Sequence, residues 1–332
     1  MIGAFSHRDP GPRPRTAPRW AVAGYTSRDV EDPSVAALAP RIAGTRRVFC
    51  CHSATLSGRH IPNSLPAVEE CVAAGVPRLE VDVRFLADDS MLIFHDGELD
   101  VETTANGRVD ALDRPRAGQV RYRQDERVPL CFLEDVVDLV RRGSALLQVD
   151  LKLMRPISAG RARALEEALR PVEGQVLVGS QAHWNLRHLR GVPVAIDPTL
   201  QWHADGGRGG HIVPRSRGVH GLWDDAPLAA NARATAMEYV ESRVADIRGL
   251  LPAAIEWMVD IATIEHLAQL GVPLGDVLAA HGVALAAWTF HDNEPEPGKL
   301  LSRLFGAGAR TVITDAPLAA AAHAGRLIGP AL

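Results

Sequence analysis

Apolar and polar residues follow two alternating periods along this chain from Arg47 onward. Short apolar runs rich in β-branched residues are followed by longer stretches in which apolar residues recur every three or four positions. This alternation is typical of repeated βα units around a parallel sheet. The runs predicted as strands are Val48–Cys51, Leu79–Val83, Leu146–Leu151, Val176–Gly179, Val194–Ile196, Ala254–Met258, Val283–Trp288 and Thr311–Thr314.

Helical patterns lie between these runs, and several of them stop at a glycine, a common residue at helix ends. The predicted helices include Ser64–Ala74, Phe132–Arg142, Ala159–Leu169, Ala229–Leu250, Ile264–Leu270 and Pro297–Phe305. Eight βα units favour a closed α/β barrel, the (β/α)8 or TIM barrel. An open doubly wound sheet is the alternative, but no G-x-G-x-x-G motif follows the first strand to support it.

Two segments interrupt the alternation. Met91 to about Arg127 is a small insertion after the second strand, and Pro198 to about Pro227 follows the fifth strand. In a barrel both segments belong at the carboxyl ends of the strands, where catalytic loops lie. Residues 1–45, rich in Pro, Arg and Gly, are predicted to be a partly irregular N-terminal extension with a short helix around Val35 to Ile42. Residues 46–332 then form the barrel domain.

Composition narrows the possible partners. The 332 residues carry 36 basic and 40 acidic side chains, so a net charge of -4 offers no basic field for nucleic acid or an anionic membrane. Apolar stretches fall short of the ~20 residues that span a bilayer, and the amino terminus has no secretory apolar region. We therefore expect a cytoplasmic protein without stable membrane insertion.

The four cysteines are not spaced like metal ligands. Cys50 and Cys51 are adjacent, Cys71 and Cys131 stand alone, and no C-x-x-C pair occurs. This pattern argues against a zinc site or a disulfide framework and predicts buried free thiols.

Carboxylates stand on one face of two neighbouring strands. Alternation places Glu80 and Asp82 together in Leu79-Glu80-Val81-Asp82-Val83, and Asp150 ends the next core strand with Lys152 two residues later. Three oxygen ligands at adjacent strand ends suit one divalent cation, Mg2+ or Ca2+. A single pair would be a solvated strand face by default, and Lys152 can form a structural salt bridge to these carboxylates or neutralise a phosphate oxygen.

Two histidines directly follow strand-like runs. His52 comes after Val48–Cys51, and His95 comes after Met91-Leu92-Ile93-Phe94. Phosphodiester cleavage needs proton transfer at both the attacking and the leaving oxygen, and imidazole serves either role near neutral pH. Beside the carboxylate strands, the pair is a candidate for general acid and base catalysis.

The motifs together resemble the glycerophosphodiester phosphodiesterase family. They are His52, Pro62-Asn63-Ser64-Leu65, Leu79-Glu80-Val81-Asp82-Val83, Phe94-His95-Asp96, Glu126-Arg127-Val128-Pro129, Val149-Asp150-Leu151-Lys152, Ala287-Trp288-Thr289 and Val312-Ile313-Thr314-Asp315-Ala316-Pro317. The resemblance covers roughly Arg47 to Arg326. It implies that Glu80, Asp82 and Asp150 bind the metal and that His52 and His95 are the acid and base. It also implies that Lys152 contacts the phosphate and that Trp288 lines the pocket near a glycerol-like group.

Three positions depart from the family pattern. Ser53 stands where the family motif His-Arg-Gly has its phosphate-binding arginine, Pro62 replaces the usual glutamate, and Asp150 replaces the commoner glutamate. The loop from Gln201 to Asp224 offers substitute cations, because a guanidinium binds two phosphate oxygens at once. The candidates for substrate binding are Arg208, Arg215 and Arg217. A merely solvated, glycine-rich loop is an equal alternative.

The expected activity is metal-dependent cleavage of a small glycerophosphodiester-like substrate to an alcohol and a phosphomonoester, through a cyclic phosphate if the substrate's own hydroxyl attacks. One alternative is similarity to the sphingomyelinase D and phospholipase D branch of this fold, which ends at a cyclic phosphate. Another is a barrel that has lost catalysis and acts as a binding module. The sequence leaves the alcohol groups, the choice between Mg2+ and Ca2+, and the oligomeric state open.

Overall fold

The architecture was described from a computed structural model, in which residues 33–42, 44–198, 200 and 235–328 are described. The strands are β1 Arg41–Ile42, β2 Thr45–Arg46, β3 Val48–Cys51, β4 Arg78–Phe85, β5 Met91–Ile93, β6 Cys131–Phe132, β7 Leu146–Leu151, β8 Val176–Ser180, β9 Val194–Ile196, β10 Ala254–Asp260, β11 Ala284–Phe290 and β12 Thr311–Thr314. The α-helices are α1 Pro33–Ala36, α2 Leu65–Ala74, α3 Arg114–Ala117, α4 Leu133–Val140, α5 Ala159–Leu169, α6 His183–Leu186, α7 Ala236–Leu250, α8 Ile261–Gln269, α9 Leu274–Ala280, α10 Pro297–Gly306 and α11 Pro317–Ile328.

Eight parallel strands close into a barrel in the order β3, β4, β7, β8, β9, β10, β11, β12. Closure is made on both sides of β3, where Thr314 pairs with Cys51 and Cys51 pairs with Leu79. The predicted (β/α)8 barrel is therefore confirmed, and the open sheet is excluded. All eight predicted strands are present. Strands β4 and β10 run two residues further than predicted, because pairing with their neighbours continues past the apolar run.

The insertion after the second barrel strand packs as a small unit of its own. Within it β5 pairs antiparallel with β4, and β6 pairs with β5. Its apolar side chains form a cluster that includes Leu92, Phe94 and Tyr122. The Tyr122 hydroxyl donates to the backbone oxygen of Asn63 at 3.2 Å, which ties the insertion to the barrel.

Polar and apolar layers alternate inside the barrel. Near the amino ends of the strands, Arg78 binds both carboxylate oxygens of Glu256 at 2.6 and 3.0 Å and donates to Gln148. A second, mainly apolar group of inward-facing residues is Cys50, Leu177, Ala195, Met258, Ala286 and Ile313. The carboxylates of Glu80, Asp82 and Asp150 lie toward the carboxyl ends, so the interior is a packed core that supports the site from below.

Helix boundaries follow local capping chemistry. The Ser64 and Ser158 side chains accept hydrogen bonds from the backbone N–H groups of Ala67 and Arg161 and so begin α2 and α5. Gly75 ends α2 in the left-handed conformation at φ 71°, where glycine carries no side-chain penalty.

The segment before β3 differs from the prediction. The helix expected around Val35 to Ile42 is wrong in part: α1 ends at Ala36, and Arg41 and Ile42 pair with Thr45 and Arg46 as a short hairpin. The apolar residues Val35 and Leu38 are buried in the main core, and this packing overrides the helical pattern. Residues 1–32 lie outside the described residues, and the boundary between extension and barrel stays a prediction.

Two findings bear on the expectations from composition. Among the described helices, none is both long and apolar enough to cross a membrane. The four cysteines are free and buried, as predicted.

Candidate active site

The three predicted metal ligands meet at the carboxyl ends of β4 and β7. Asp82 and Asp150 are directly paired in the strand register, and Glu80 lies two residues before Asp82 on the same face. One carboxylate oxygen from each of the three lies within 4.8 Å of the others. Glu80 and Asp82 are buried, with 2% and 0% of their surface exposed, whereas Asp150 is partly exposed.

This carboxylate cluster fits a divalent cation. Burial and the neighbouring charge of Asp82 raise the pKa of Glu80 to about 8. Glu80 Oε1 is buried and accepts no hydrogen bond, and buried Asp82 Oδ1 has only the Lys152 ammonium, at 3.2 Å, as a partner. Buried carboxylate oxygens without a donor are costly, and a hard cation would neutralise them.

Lys152 provides the nearest positive charge. Its Nζ lies 2.8 Å from Asp150 Oδ2 and 3.2 Å from Asp82 Oδ1, so the salt bridge left open by the sequence is present. Burial disfavours the charged form of Asp82, but the Lys152 ammonium and a hydrogen bond from Asn63 outweigh it and lower the pKa of Asp82. The contact of Lys152 with a substrate phosphate stays a prediction.

His52 is held by a carboxylate from the last barrel strand. Its Nδ1 lies 2.5 Å from Asp315 Oδ1, and its Nε2 lies 3.9 Å from Glu80 Oε2. Burial lowers the pKa of His52, but the hydrogen bond to Asp315 and the charge of Glu80 outweigh burial and raise it to about 9. Asp315 also lies 2.8 Å from His291 Nδ1, so one carboxylate links two imidazoles.

His95 is held in a similar way from the insertion side. Its Nδ1 lies 2.7 Å from Asp96 Oδ1. Arg84, two residues after Asp82 on β4, donates to the backbone oxygens of both His95 and Lys152, the latter at 3.0 Å. The guanidinium therefore fastens the segment that carries His95 to the end of β7.

The two histidines are prepared for proton transfer at the same ring atom. Because Nδ1 of His52 and Nδ1 of His95 each face a carboxylate, the neutral form with a proton on Nδ1 keeps a lone pair on Nε2. A carboxylate partner also stabilises the imidazolium that forms when Nε2 takes up a proton.

Ser53 and Asn63 orient the metal carboxylates. The Ser53 backbone N–H donates to Glu80 Oε2 at 2.7 Å, from a left-handed conformation with φ 47°. The Asn63 side chain donates to Asp82 Oδ2 at 2.7 Å and accepts from the Asp82 backbone N–H at 3.0 Å. The residue at the family's arginine position therefore contributes a backbone donor to the carboxylate cluster.

His52, Glu80, His95, Asp150 and Lys152 line one cavity of about 310 Å³. Trp288, Met258 and Ile313 form an apolar wall on one side, and Gln181 and Asp197 lie at the other. Gln181 donates to Asp197 Oδ2 at 3.1 Å, and burial together with the charge of Asp150 raises the pKa of Asp197 to about 7. The cavity thus joins an acidic, proton-transferring centre to an apolar surface.

The structure brings most of the predicted site residues together. The residues around this cavity or its carboxylate cluster are His52, Glu80, Asp82, His95, Asp150, Lys152 and Trp288. Arg208, Arg215 and Arg217 lie outside the described residues, so the proposed phosphate loop stays a prediction.

Comparison with known proteins finds a sequence similarity to one family of phosphodiesterases. The sequence model of the glycerophosphoryl diester phosphodiesterase family matches residues 55–172. The match spans about a third of the chain. The matched segment holds both carboxylate strands, His95 and Lys152, and it begins three residues after His52.

Individual relatives are more distant. A glycerophosphodiester phosphodiesterase from Bacillus altitudinis is 28% identical over 141 residues, which cover 39% of this chain and 56% of that protein. The match thus spans little more than half of that relative. A phosphodiesterase from Oleispira antarctica, solved in complex with its product sn-glycerol-3-phosphate, has a TM-score of 0.54 and 14% identity, covering 87% of this chain and 98% of that one. A glycerophosphodiester phosphodiesterase from Parabacteroides distasonis has a TM-score of 0.57 and 14% identity, covering 86% and 98%. These two structures show a shared fold.

Several residues in or near this cavity were given no role from the sequence. They are Asn63, Arg84, Asp197, His291 and Asp315. Three of them carry a signal that was available: Asp197, His291 and Asp315 each follow directly after a barrel strand, as His52 does. Arg84 and Asn63 had no such signal, because their roles depend on backbone oxygens and carboxylates brought near only by folding.

Proposed function

We propose that this protein is a metal-dependent phosphodiesterase that cleaves a glycerophosphodiester-like substrate to an alcohol and a phosphomonoester. One observation carries the proposal: three carboxylates able to share a cation lie in the same pocket as two histidines whose Nδ1 atoms are held by carboxylates. The match of residues 55–172 to the family model and the apolar wall at Trp288 support it.

Each group of site residues has a separate role in the proposed reaction. A divalent cation, Mg2+ or Ca2+, bound by Glu80, Asp82 and Asp150 would supply charge stabilisation at the phosphate oxygens. Lys152 turns from its carboxylate partners to a phosphate oxygen when the substrate binds. Nε2 of one histidine takes the proton of the attacking water or substrate hydroxyl, and Nε2 of the other, His52 or His95, protonates the leaving alcohol. When the substrate's own hydroxyl attacks, water then opens the cyclic phosphate to the phosphomonoester.

A second candidate differs only in the end point. Ser53, in place of the family's arginine, is a feature shared with the sphingomyelinase D and phospholipase D branch, whose reaction stops at a cyclic phosphate. Analysis of products by phosphorus NMR separates the two, since a cyclic phosphate and a phosphomonoester have different chemical shifts. A barrel that only binds its ligand would release neither product.

Metal dependence is the first test. Turnover of a panel of glycerophosphodiesters should disappear in excess chelator and return when Mg2+ or Ca2+ is added back. Asp82→Asn should lower kcat by orders of magnitude, whereas Asp138→Asn, on the exposed surface of α4, should match the unchanged protein. Full activity in excess chelator would contradict the proposal.

A further inference from the structure

A second cavity of about 350 Å³ adjoins the cavity of the candidate active site. The two cavities share four wall residues, Asp150, Lys152, Gln181 and Asp197. Trp288 does not line the second cavity. Trp288 lies on β11, and β11 is four positions from β7 in the eight-stranded barrel. Asp150 and Lys152, which line the second cavity, lie at the end of β7. The second cavity therefore adjoins the side of the catalytic pocket opposite Trp288.

The far wall of this second cavity carries three arginines and one carboxylate. Arg84 comes from β4, Arg108 and Asp110 come from the insertion, and Arg155 follows β7. The Arg108 guanidinium binds both oxygens of Asp110, at 2.8 and 2.5 Å. That hydrogen bond and the charges of Arg108, Arg155 and Arg84 hold the pKa of Asp110 below its usual range.

This wall carries three arginines, whereas the wall shared with the catalytic pocket carries Lys152 with Asp150 and Asp197. Glu98 adds one more carboxylate, 3.9 Å from Arg108. The Arg84 guanidinium already donates hydrogen bonds to the backbone oxygens of His95 and Lys152. Arg155 is exposed and has no ion pair among the described residues, so its guanidinium is the group open to a ligand. A guanidinium of this kind binds carboxylate or phosphate oxygens in pairs.

We propose that this cavity is a subsite for the alcohol on the side of the phosphorus away from Trp288, and that it selects an alcohol bearing a carboxylate or phosphate group. The proposal rests on the phosphodiesterase function given above. It assigns the insertion a role in specificity, because Arg108 and Asp110 shape the wall and Arg155 contacts the anionic group.

Matched diesters test the selection. Glycerophosphoserine and glycerophosphoethanolamine differ by one carboxylate, and glycerophosphoinositol phosphate and glycerophosphoinositol differ by one phosphate. We expect kcat/KM to favour the more anionic member of at least one pair by about tenfold, as a charge-assisted hydrogen bond predicts. The pair that shows the preference distinguishes a carboxylate from a phosphate.

Charge reversal gives the decisive comparison. Arg155→Glu should reduce or invert that preference, whereas Arg141→Glu, an exposed change at the end of α4, should leave it unaltered. An unchanged ratio in Arg155→Glu, or equal kcat/KM within both pairs for the unchanged protein, would overturn the subsite.

Binding separates this inference from the proposed function. Calorimetry with O-phosphoserine and O-phosphoethanolamine reports the subsite without turnover. Tighter binding of O-phosphoserine that is lost in Arg155→Glu supports the subsite even if none of the diesters is cleaved, a result that would reject the proposed function alone. Equal binding of the two, together with equal kcat/KM within the inositol pair in a protein that does cleave diesters, would reject the subsite alone.

Discussion

At the scale of single residues, Asp315 connects two strand ends. One of its oxygens faces His52 Nδ1 and the other faces His291 Nδ1, at 2.5 and 2.8 Å. Burial would favour a neutral His52, yet the Asp315 hydrogen bond and the Glu80 charge raise the pKa of His52 to about 9. The carboxylate therefore sets both the orientation and the proton affinity of the ring.

Replacing Asp315 by asparagine should lower kcat by roughly 10²–10⁴-fold, the range of general acid and base catalysis. An amide accepts a hydrogen bond from Nδ1 but does not stabilise imidazolium. Since the carboxylate raises the pKa of His52, its loss should move the matching limb of the pH–rate profile to lower pH. His291→Gln, which keeps the contact between Asp315 and His52, is the matched control. Wild-type kcat and pH profile in Asp315→Asn would reject this role.

At the scale of elements, the backbone at the start of α9 contacts the backbone of the turn after α10 directly, with no side chain between them. A Cβ added at Gly308 would lie 2.7 Å from the Gly275 Cα, and Gly308 has φ +93°, in the left-handed region. The Gly275 N–H donates to the Ala307 oxygen at 2.9 Å. This contact places α10 against the start of α9, so glycine is required at both positions.

Gly308→Ala should reduce the free energy of unfolding by at least ~1–3 kcal/mol, because both the backbone conformation and the space oppose a methyl group. Gly298→Ala, inside α10 where a Cβ meets nothing within 4 Å, should instead be neutral or stabilise by up to ~1 kcal/mol. Urea unfolding of the two variants measures the difference. Equal stabilities would show that the backbone contact is not rigid.

At the scale of the whole molecule, the barrel interior is polar at both ends. The amino ends of the strands hold Arg78 and Glu256, which are nearly inaccessible to solvent and are joined through two hydrogen bonds. The carboxyl ends hold the carboxylate cluster. A buried ion pair is stable only while both partners are present, since either alone is an uncompensated charge.

Removing one partner, in Arg78→Met or Glu256→Leu, should therefore cost ~3–5 kcal/mol of stability. The double variant should recover much of that loss, because an apolar pair leaves no buried charge. A double-mutant cycle from denaturant unfolding measures the coupling. Additive losses would mean that the two side chains do not act as a pair.

The same scales separate what the sequence determined from what folding decided. Strand number, barrel class and the shared face of Glu80 and Asp82 followed from local periodicity, because side-chain direction in a strand alternates residue by residue. The histidines were recognisable since each directly follows a strand-like apolar run in the sequence. The local pattern alone did not predict the structure of Val35 to Ile42, because burial and hairpin pairing replaced the predicted helix there.

Only the tertiary structure decided which groups face each other. Asp315 is 263 residues from His52, and Arg78 is 178 residues from Glu256, so no local pattern could pair them. Arg108 and Arg155 come together because the insertion folds against the loop after β7. The sequence by itself specified the strands and the types of side chain at their ends; closure of the barrel, which packs distant strands side by side, specified the contacts and the charge balance of each cavity.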